Sequence, residues 1–241
     1  MSRPSTPKHN MSSLTPGLYI VATPIGNLED ITLRAIRTLK DVSSIACENS
    51  RHSRILLNHY EVQKPLLTYN DHSSDAMRQK IIQKIKNGES IALISDAGMP
   101  LLSDPGYKLV RQLYLEQIPV SVIPGPSAIC TSVALSGLAT NSFFFQGFLP
   151  LKGWTKHLEA VAPLTTTLVF FESARRLPKT LQKCFSVLGN QRLVILRELT
   201  KRFEERLEGT LENPFGNAPT KNLKGEITFL IENRPGGPIT S

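Results

Sequence analysis

The stretch Leu18-Tyr19-Ile20-Val21-Ala22-Thr23-Pro24-Ile25-Gly26-Asn27, with the segment after it in which Ile31, Ala35, Ile36 and Leu39 share one helical face, decides how this chain is read. A short apolar run closed by a proline and a glycine is a strand meeting a turn, and the 3.6-residue spacing that follows is an amphipathic helix. The same unit recurs downstream. Ser44 to Cys47 is apolar and precedes a stretch from Arg51 to Tyr60; Met77, Ile81, Ile82 and Ile85 are spaced for a helix that Gly88 can end. Ile91 to Ile94 reads as the next strand. Asp104 as N-cap with Pro105 in the first turn would start a helix burying Leu109, Val110 and Leu113, and Val120 to Ile123 is again a strand. Alternating strands and helices predict a mainly parallel sheet covered by helices over about the first half of the chain.

Beyond Gly125 the rhythm changes. Phe143 to Phe145, Thr167 to Phe171, Leu193 to Arg197, Phe203 to Leu207 and Ile227 to Ile231 give more strands and fewer helices, which predicts a second α/β domain. The expected organisation is a Ser-, Thr- and Pro-rich disordered lead over residues 1–16, domains over 17–126 and 127–233, and a flexible tail over 234–241.

Composition narrows the class. At 241 residues, with 40% hydrophobic and 20% charged residues, the chain can bury a sizeable core, and no apolar run approaches the roughly 20 residues of a membrane span. The lead has no apolar stretch and reads as a disordered segment rather than a signal peptide. Cys47, Cys130 and Cys184 are odd in number and widely separated, which argues against a disulfide framework and a zinc site and suits a reduced cytoplasm; no metal is expected. Lys and Arg exceed Asp and Glu by 28 to 20, a net charge of +8 that would draw the protein to a polyanion or serve only its solubility.

Open α/β sheets hold ligands at the carboxyl ends of their strands, and the unusual residues fall there. Three loops join Gly to Pro: Thr23 to Asn27, Ser95-Asp96-Ala97-Gly98-Met99-Pro100, and Pro124-Gly125-Pro126-Ser127. None is a G-x-G-x-x-G or a P-loop, so the phosphate cradles of dinucleotide and nucleoside-triphosphate sites are missing. Such turns leave backbone N–H and C=O groups free to bond an adenine or an amino-acid moiety. A fourth strand end, Cys47 to His52, sets Glu48, Arg51 and His52 beside Ser50, a candidate N-cap. These charges could handle a phosphate and a proton, or close a surface salt-bridged helix start. Asp71-His72 reads as an ordinary polar turn. Arg197 to Arg202 lines an RNA-facing rim or is a solvated turn, and Trp154 stands among Lys152 and Lys156.

Taken in order, eight segments resemble the ribosomal RNA small-subunit methyltransferase I family of the tetrapyrrole-methylase superfamily. They are Leu18 to Thr32, Glu48 to Ser53, Ser95 to Pro100 with Ser103-Asp104-Pro105-Gly106, Pro124 to Ser127, Gly147-Phe148-Leu149-Pro150, Phe171-Glu172-Ser173, Arg197 to Lys201 and Lys224-Gly225-Glu226. The resemblance spans Leu18 to about Glu232. It implies a tetrapyrrole-methylase fold, two α/β domains with S-adenosylmethionine in the cleft between them, a homodimer, and 2'-O-methylation of a cytidine in the decoding region of 16S rRNA on the 30S subunit. Carried onto this chain, the implied cofactor contacts are Ile25; Asp96, Ala97, Gly98, Met99, Pro100 and Leu102; Gly125, Ser127 and Ala128; and Phe171, Leu199, Gly225 and Ile227. Glu48 or His52 is expected to take the ribose proton, with Arg51 and Lys201 toward the RNA. Three features depart from the family pattern: Asn49 stands where an Asp is usual, Met99 where a Thr is usual, and the chain ends near where members continue into a small helical domain. Two other functions remain open at this point, methylation of a tetrapyrrole carbon and a non-catalytic RNA-binding assembly factor.

Overall fold

The computed structural model describes residues 14–70, 75–216 and 224–236. The first thirteen residues of the expected lead, the Asp71-His72 pair and tail positions 237–241 lie outside the described residues. The chain divides into two compact units.

The first unit holds β1 (Gly17–Val21), α1 (Leu33–Asp41), β2 (Ser44–Cys47), α2 (Ser50–His59), β3 (Leu66–Thr68), α3 (Asp75–Lys86), β4 (Ser90–Ile94), α4 (Tyr107–Leu115) and β5 (Val120–Ile123). All five strands pair in parallel in the order β3-β2-β4-β1-β5. Every residue of β1, β2 and β4 is buried, as expected of parallel strands covered on both faces. Leu18, Ile20, Ile91 and Leu93 meet Ile81, Ile82 and Ile85 of α3 and Leu109 and Leu113 of α4 in one core. Because the strands run the same way, the loops after β1, β2, β4 and β5 leave from one edge of the sheet.

The second unit holds α5 (Ala128–Ser136), β6 (Phe143–Phe148), α6 (Trp154–Val161), β7 (Thr166–Ser173), α7 (Leu177–Leu188), β8 (Arg192–Arg197), β9 (Glu205–Thr210) and β10 (Glu226–Asn233). Its sheet is mixed, β6-β7-β10-β8-β9, parallel between β6 and β7 and antiparallel elsewhere. Phe170 and Phe229 stack at 4.7 Å within its core.

Three expectations are corrected. The domain boundary is not a single cut at residue 126: Pro24–Asp30 belongs to the second unit, because Ile25 packs among Val133, Leu138, Val194, Leu196 and Leu199 of that unit. Asn49, not Ser50, caps α2; its Oδ1 accepts from the N–H of Arg51 at 3.1 Å and of His52 at 3.3 Å. Helix α4 starts at Tyr107 with Gly106, at φ +135°, in the cap position and no side-chain cap bond, so Asp104 and Pro105 precede the helix. Trp154, which the sequence sets among Lys152 and Lys156, opens α6 and packs on the second core with Lys183 4.9 Å from its ring.

Candidate functional site

In the first unit the site begins with the ends of the two neighbouring strands β1 and β4. Thr23 and Gly98 form an antiparallel bridge: Thr23 N–H donates to the Gly98 carbonyl at 2.9 Å, and Gly98 N–H donates to the Thr23 carbonyl at 3.0 Å. Thr23 Oγ1 donates to the Ser95 carbonyl at 3.2 Å, and Ser95 Oγ to that of Ala97 at 3.2 Å. Small hydroxyl residues therefore brace the loop against itself, and glycine at 98, where φ is +79°, permits the turn. Leu101 and Ser103 also hold left-handed backbone, at +73° and +68°, which costs of order 1–3 kcal/mol each and persists only where surroundings impose it. Met99 and Leu101 pack on the first unit's core, so a methionine in place of threonine anchors the loop through an apolar side chain and leaves its backbone to the ligand. Gly125 fits tightly: a Cβ there would come within 3.1 Å of Ala22 Cβ.

The loop after β2 reaches the same place. His52, one turn into α2, lies with Nε2 3.2 Å from the Asp96 carbonyl oxygen. A carbonyl only accepts, so Nε2 carries the proton and Nδ1 holds the lone pair. Asp96 Oδ1 is buried and has no hydrogen-bond partner among the described residues. Such an orphaned acceptor fits a cofactor that brings donors, as the amino group and ribose hydroxyls of S-adenosylmethionine do. Glu48 and Arg51 flank the cap on the exposed side.

In the second unit three separate motifs assemble around one turn. Glu198 and Thr200 have positive φ, +52° and +62°, throwing Leu199 into the core beside Ile25. A Cβ at Gly26 would lie 2.5 Å from Lys201 Cγ and 2.7 Å from the Leu199 carbonyl oxygen, so only glycine lets the Pro24–Asp30 loop seat here. Gly225, at φ +95°, is pressed on the Glu198 carboxylate, whose Oε1 accepts from Glu226 N–H at 2.9 Å. Lys201 Nζ bonds Glu198 Oε1 at 3.0 Å and Glu226 Oε2 at 2.9 Å. Burial alone would push the Glu198 carboxyl up, but these donors outweigh it and hold it below the usual range. Partial burial likewise pulls the Lys201 ammonium down, and its two carboxylate partners reverse that and raise it. Lys201, expected toward RNA, is thus committed to internal ion pairs. Phe171, half-buried, makes edge-to-face contacts with Phe145 at 4.9 Å and Phe148 at 5.7 Å.

The structure therefore brings together Asp96, Ala97, Gly98 and His52 within the first unit, and Ile25, Leu199 and Gly225 within the second. Sequence reading missed the cap role of Asn49, signalled by its place before a helix, and the Glu198–Lys201–Glu226 group, in which Glu226 is too far along the chain to suggest the i,i+3 pair it joins. Among the described residues no group of three or more His, Cys, Asp or Glu could hold a metal ion, and no helix is long and apolar enough to cross a membrane.

The model of the family described as Tetrapyrrole (Corrin/Porphyrin) Methylases matches residues 17–214, and the chain belongs to that family. Solved structures agree on the fold: the methyltransferase CobJ, 15% identical, superposes with a TM-score of 0.67 over 92% of this chain and 98% of that one. A uroporphyrin-III C-methyltransferase from Thermus thermophilus, complexed with S-adenyl homocysteine, is 18% identical with a TM-score of 0.62, over 89% and 96%. Within the family the chain sits with the relatives named Ribosomal RNA small subunit methyltransferase I. That of Halalkalibacterium halodurans is 48% identical over 89% of this chain and 75% of its own, and that of Thermotoga maritima 41% over 90% and 98%. Since the match spans nearly all of the Thermotoga protein, a further helical domain is not shared by every protein of that name.

Proposed function

We propose that this protein transfers the methyl group of S-adenosylmethionine to the ribose 2'-hydroxyl of a cytidine in the decoding region of 16S rRNA, as a cytoplasmic homodimer acting on the 30S subunit. The observation that carries the reading is the match, over nine-tenths of the chain, to relatives named for small-subunit ribosomal RNA. Methylation of a tetrapyrrole carbon has in its favour the broad family description and structures at 15–18% identity, against relatives at 41–48% named for ribosomal RNA. A non-catalytic binding factor would suit Asn49 in place of the family's Asp and the shorter tail; the cap role of Asn49, a task Asn and Asp perform about equally, weakens the first of these supports.

S-adenosylmethionine supplies an electrophilic methyl carbon on a sulfonium, open to in-line attack by oxygen. The chain's own work is to align the attacking hydroxyl, to exclude water and to take a proton. The braced loop from Ser95 to Leu102, with Gly125, Ser127 and Ala128, offers backbone groups to the cofactor, and the Asp96 carboxylate offers the acceptor a cofactor donor would satisfy. From the second unit, Ile25, Phe171, Leu199, Gly225 and Ile227 would give it apolar and backbone contacts.

In this reading His52 takes the ribose proton. Its Nε2–H is held by the Asp96 carbonyl, which orients the ring and leaves Nδ1 basic, and its exposure lets the proton pass on to water. Glu48 stands beside it as the other candidate. Arg51, exposed on the same turn, offers a fork of donors to an RNA phosphate. The test is methyl transfer to 30S subunits by His52→Asn and Glu48→Gln. We expect His52→Asn to lose about 10²–10⁴ in kcat, the usual worth of a general base, with the Kd for S-adenosylmethionine unchanged. Full activity in His52→Asn, with loss in Glu48→Gln, would move the role to Glu48.

A further inference from the structure

Helix α2 leads away from the candidate site. Arg51, Arg54 and Asn58 recur at three- and four-residue spacing and so form one exposed stripe, rising about 10 Å from the first to the last. At the far end of that stripe is a cavity of about 340 Å³, between the carboxyl end of α2 and β3, within the size range of small-ligand sites. Its walls mix three kinds of group: the cations Arg54 and Lys64, the amides of Asn58 and Gln63, and apolar surface from Leu57 and Pro65. No carboxylate lines it, and neither cation is ion-paired to a described residue. Three lysines elsewhere are already committed to ion pairs, Lys84 to Glu89, Lys86 to Glu116 and Lys201 to two glutamates.

Unspent positive charge beside amides and an apolar wall is the combination that an unpaired nucleotide requires: cations for phosphate, amides for base edges, apolar surface for the base face. We infer that the outer face of α2 is a track for the single-stranded RNA flanking the methylated nucleotide, and that the cavity at Arg54 and Lys64 receives a neighbouring nucleotide of that strand. The inference rests on the proposed RNA methylation and adds residues that chemistry alone does not need. Arg51 holds the phosphate next to the reacting ribose. Arg54 and Lys64 hold the strand further along and so set which stretch of RNA is presented to His52.

The test is binding of a short fluorescent uridine oligoribonucleotide to the full-length protein over a range of salt, followed by anisotropy. Removing two cations with Arg54→Gln/Lys64→Gln should lower the slope of log K against log salt by about 1.4, from about 0.7 per phosphate contact on a single strand, which is about 25-fold weaker binding at 0.1 M salt. The same charge loss in Lys40→Gln/Lys108→Gln, exposed on α1 and α4, should leave the slope unchanged. In methyl transfer the first pair should raise KM for 30S subunits and leave kcat as it was. Because the binding assay needs no turnover, the two readings separate. An unchanged slope in Arg54→Gln/Lys64→Gln, from a wild type that does methylate 30S subunits, overturns the track alone. Equal weakening by both double variants reduces it to non-specific attraction and also overturns it.

Discussion

Asn49 is one of the positions at which this chain departs from the pattern its resemblance implies, and its replacement separates a structural role from a chemical one. Its Oδ1 serves two of the four N–H groups that a helix start leaves without partners, those of Arg51 and His52. Loss of such a cap in Asn49→Ala costs about 1 kcal/mol, or a fall of about 2–4 °C in Tm for a chain of this size. Asn49→Asp keeps the acceptor and places a negative charge at the positive end of α2, worth between nothing and about 1 kcal/mol of added stability. If the family's carboxylate were a general base, restoring it would raise kcat by about 10²–10⁴. The account predicts no such rise. Because the cap orients the turn carrying His52, Asn49→Ala should lose activity as well as stability, and Asn49→Asp should match the wild type in rate and equal or slightly exceed it in Tm. Thermal unfolding and single-turnover methyl transfer on the three proteins decide the matter. A large gain of rate in Asn49→Asp, with Tm unmoved, would refute the reasoning.

Gly26→Ala puts a methyl group against the Leu199 carbonyl and the Lys201 side chain; overpacking of this kind costs about 1–3 kcal/mol, so calorimetry should show a lower Tm and titration a weaker hold on S-adenosylmethionine. The Glu198 carboxyl, held below its ordinary 4.5, contributes stability that is complete above that pH and is lost as pH falls through its folded value; wild type should therefore lose stability more steeply than Glu198→Gln in acid denaturation below about pH 4.5. Lys201, raised above 10.5, contributes stability that is complete below that pH and lost as pH rises through its folded value, which Lys201→Met should flatten on the alkaline side. Burial, and secondarily Glu172, pushes the Cys184 thiol up to about 12, and burial raises buried Cys47 as well; a thiol reagent at pH 8 should label exposed Cys130 in the native protein and the other two after unfolding.

Much of the fold is legible in the chain because parallel strands buried on both faces must be short apolar runs, and Ser44–Cys47 is such a strand with the bounds expected; Val120–Ile123 also has the bounds expected, though at the sheet edge it is only partly buried. β3 went unseen because three residues at a sheet edge carry no period, and α7 because its apolar positions compete with a strand-rich neighbourhood. Phe203 was expected to open a strand that in fact begins at Glu205, since β9 is an edge built from alternating polar residues and Phe203 lies outside it, exposed. For the site, the Gly and Pro loops announced themselves through their backbone demands. That Pro24–Asp30 folds with residues a hundred and more positions later was not legible, because the clue is steric: the space denied to a Cβ at Gly26 by Leu199 and Lys201. The Asp96–His52 contact was equally hidden, a bond between a backbone carbonyl and a ring that no spacing encodes.

The most direct measurement is transfer of labelled methyl from S-adenosylmethionine to 30S subunits that lack the modification, with the label mapped to a nucleotide and an atom. The account predicts label on the ribose 2'-oxygen of a decoding-region cytidine. Firm cofactor binding with no label on ribosomal RNA, or label on a tetrapyrrole carbon instead, would contradict it.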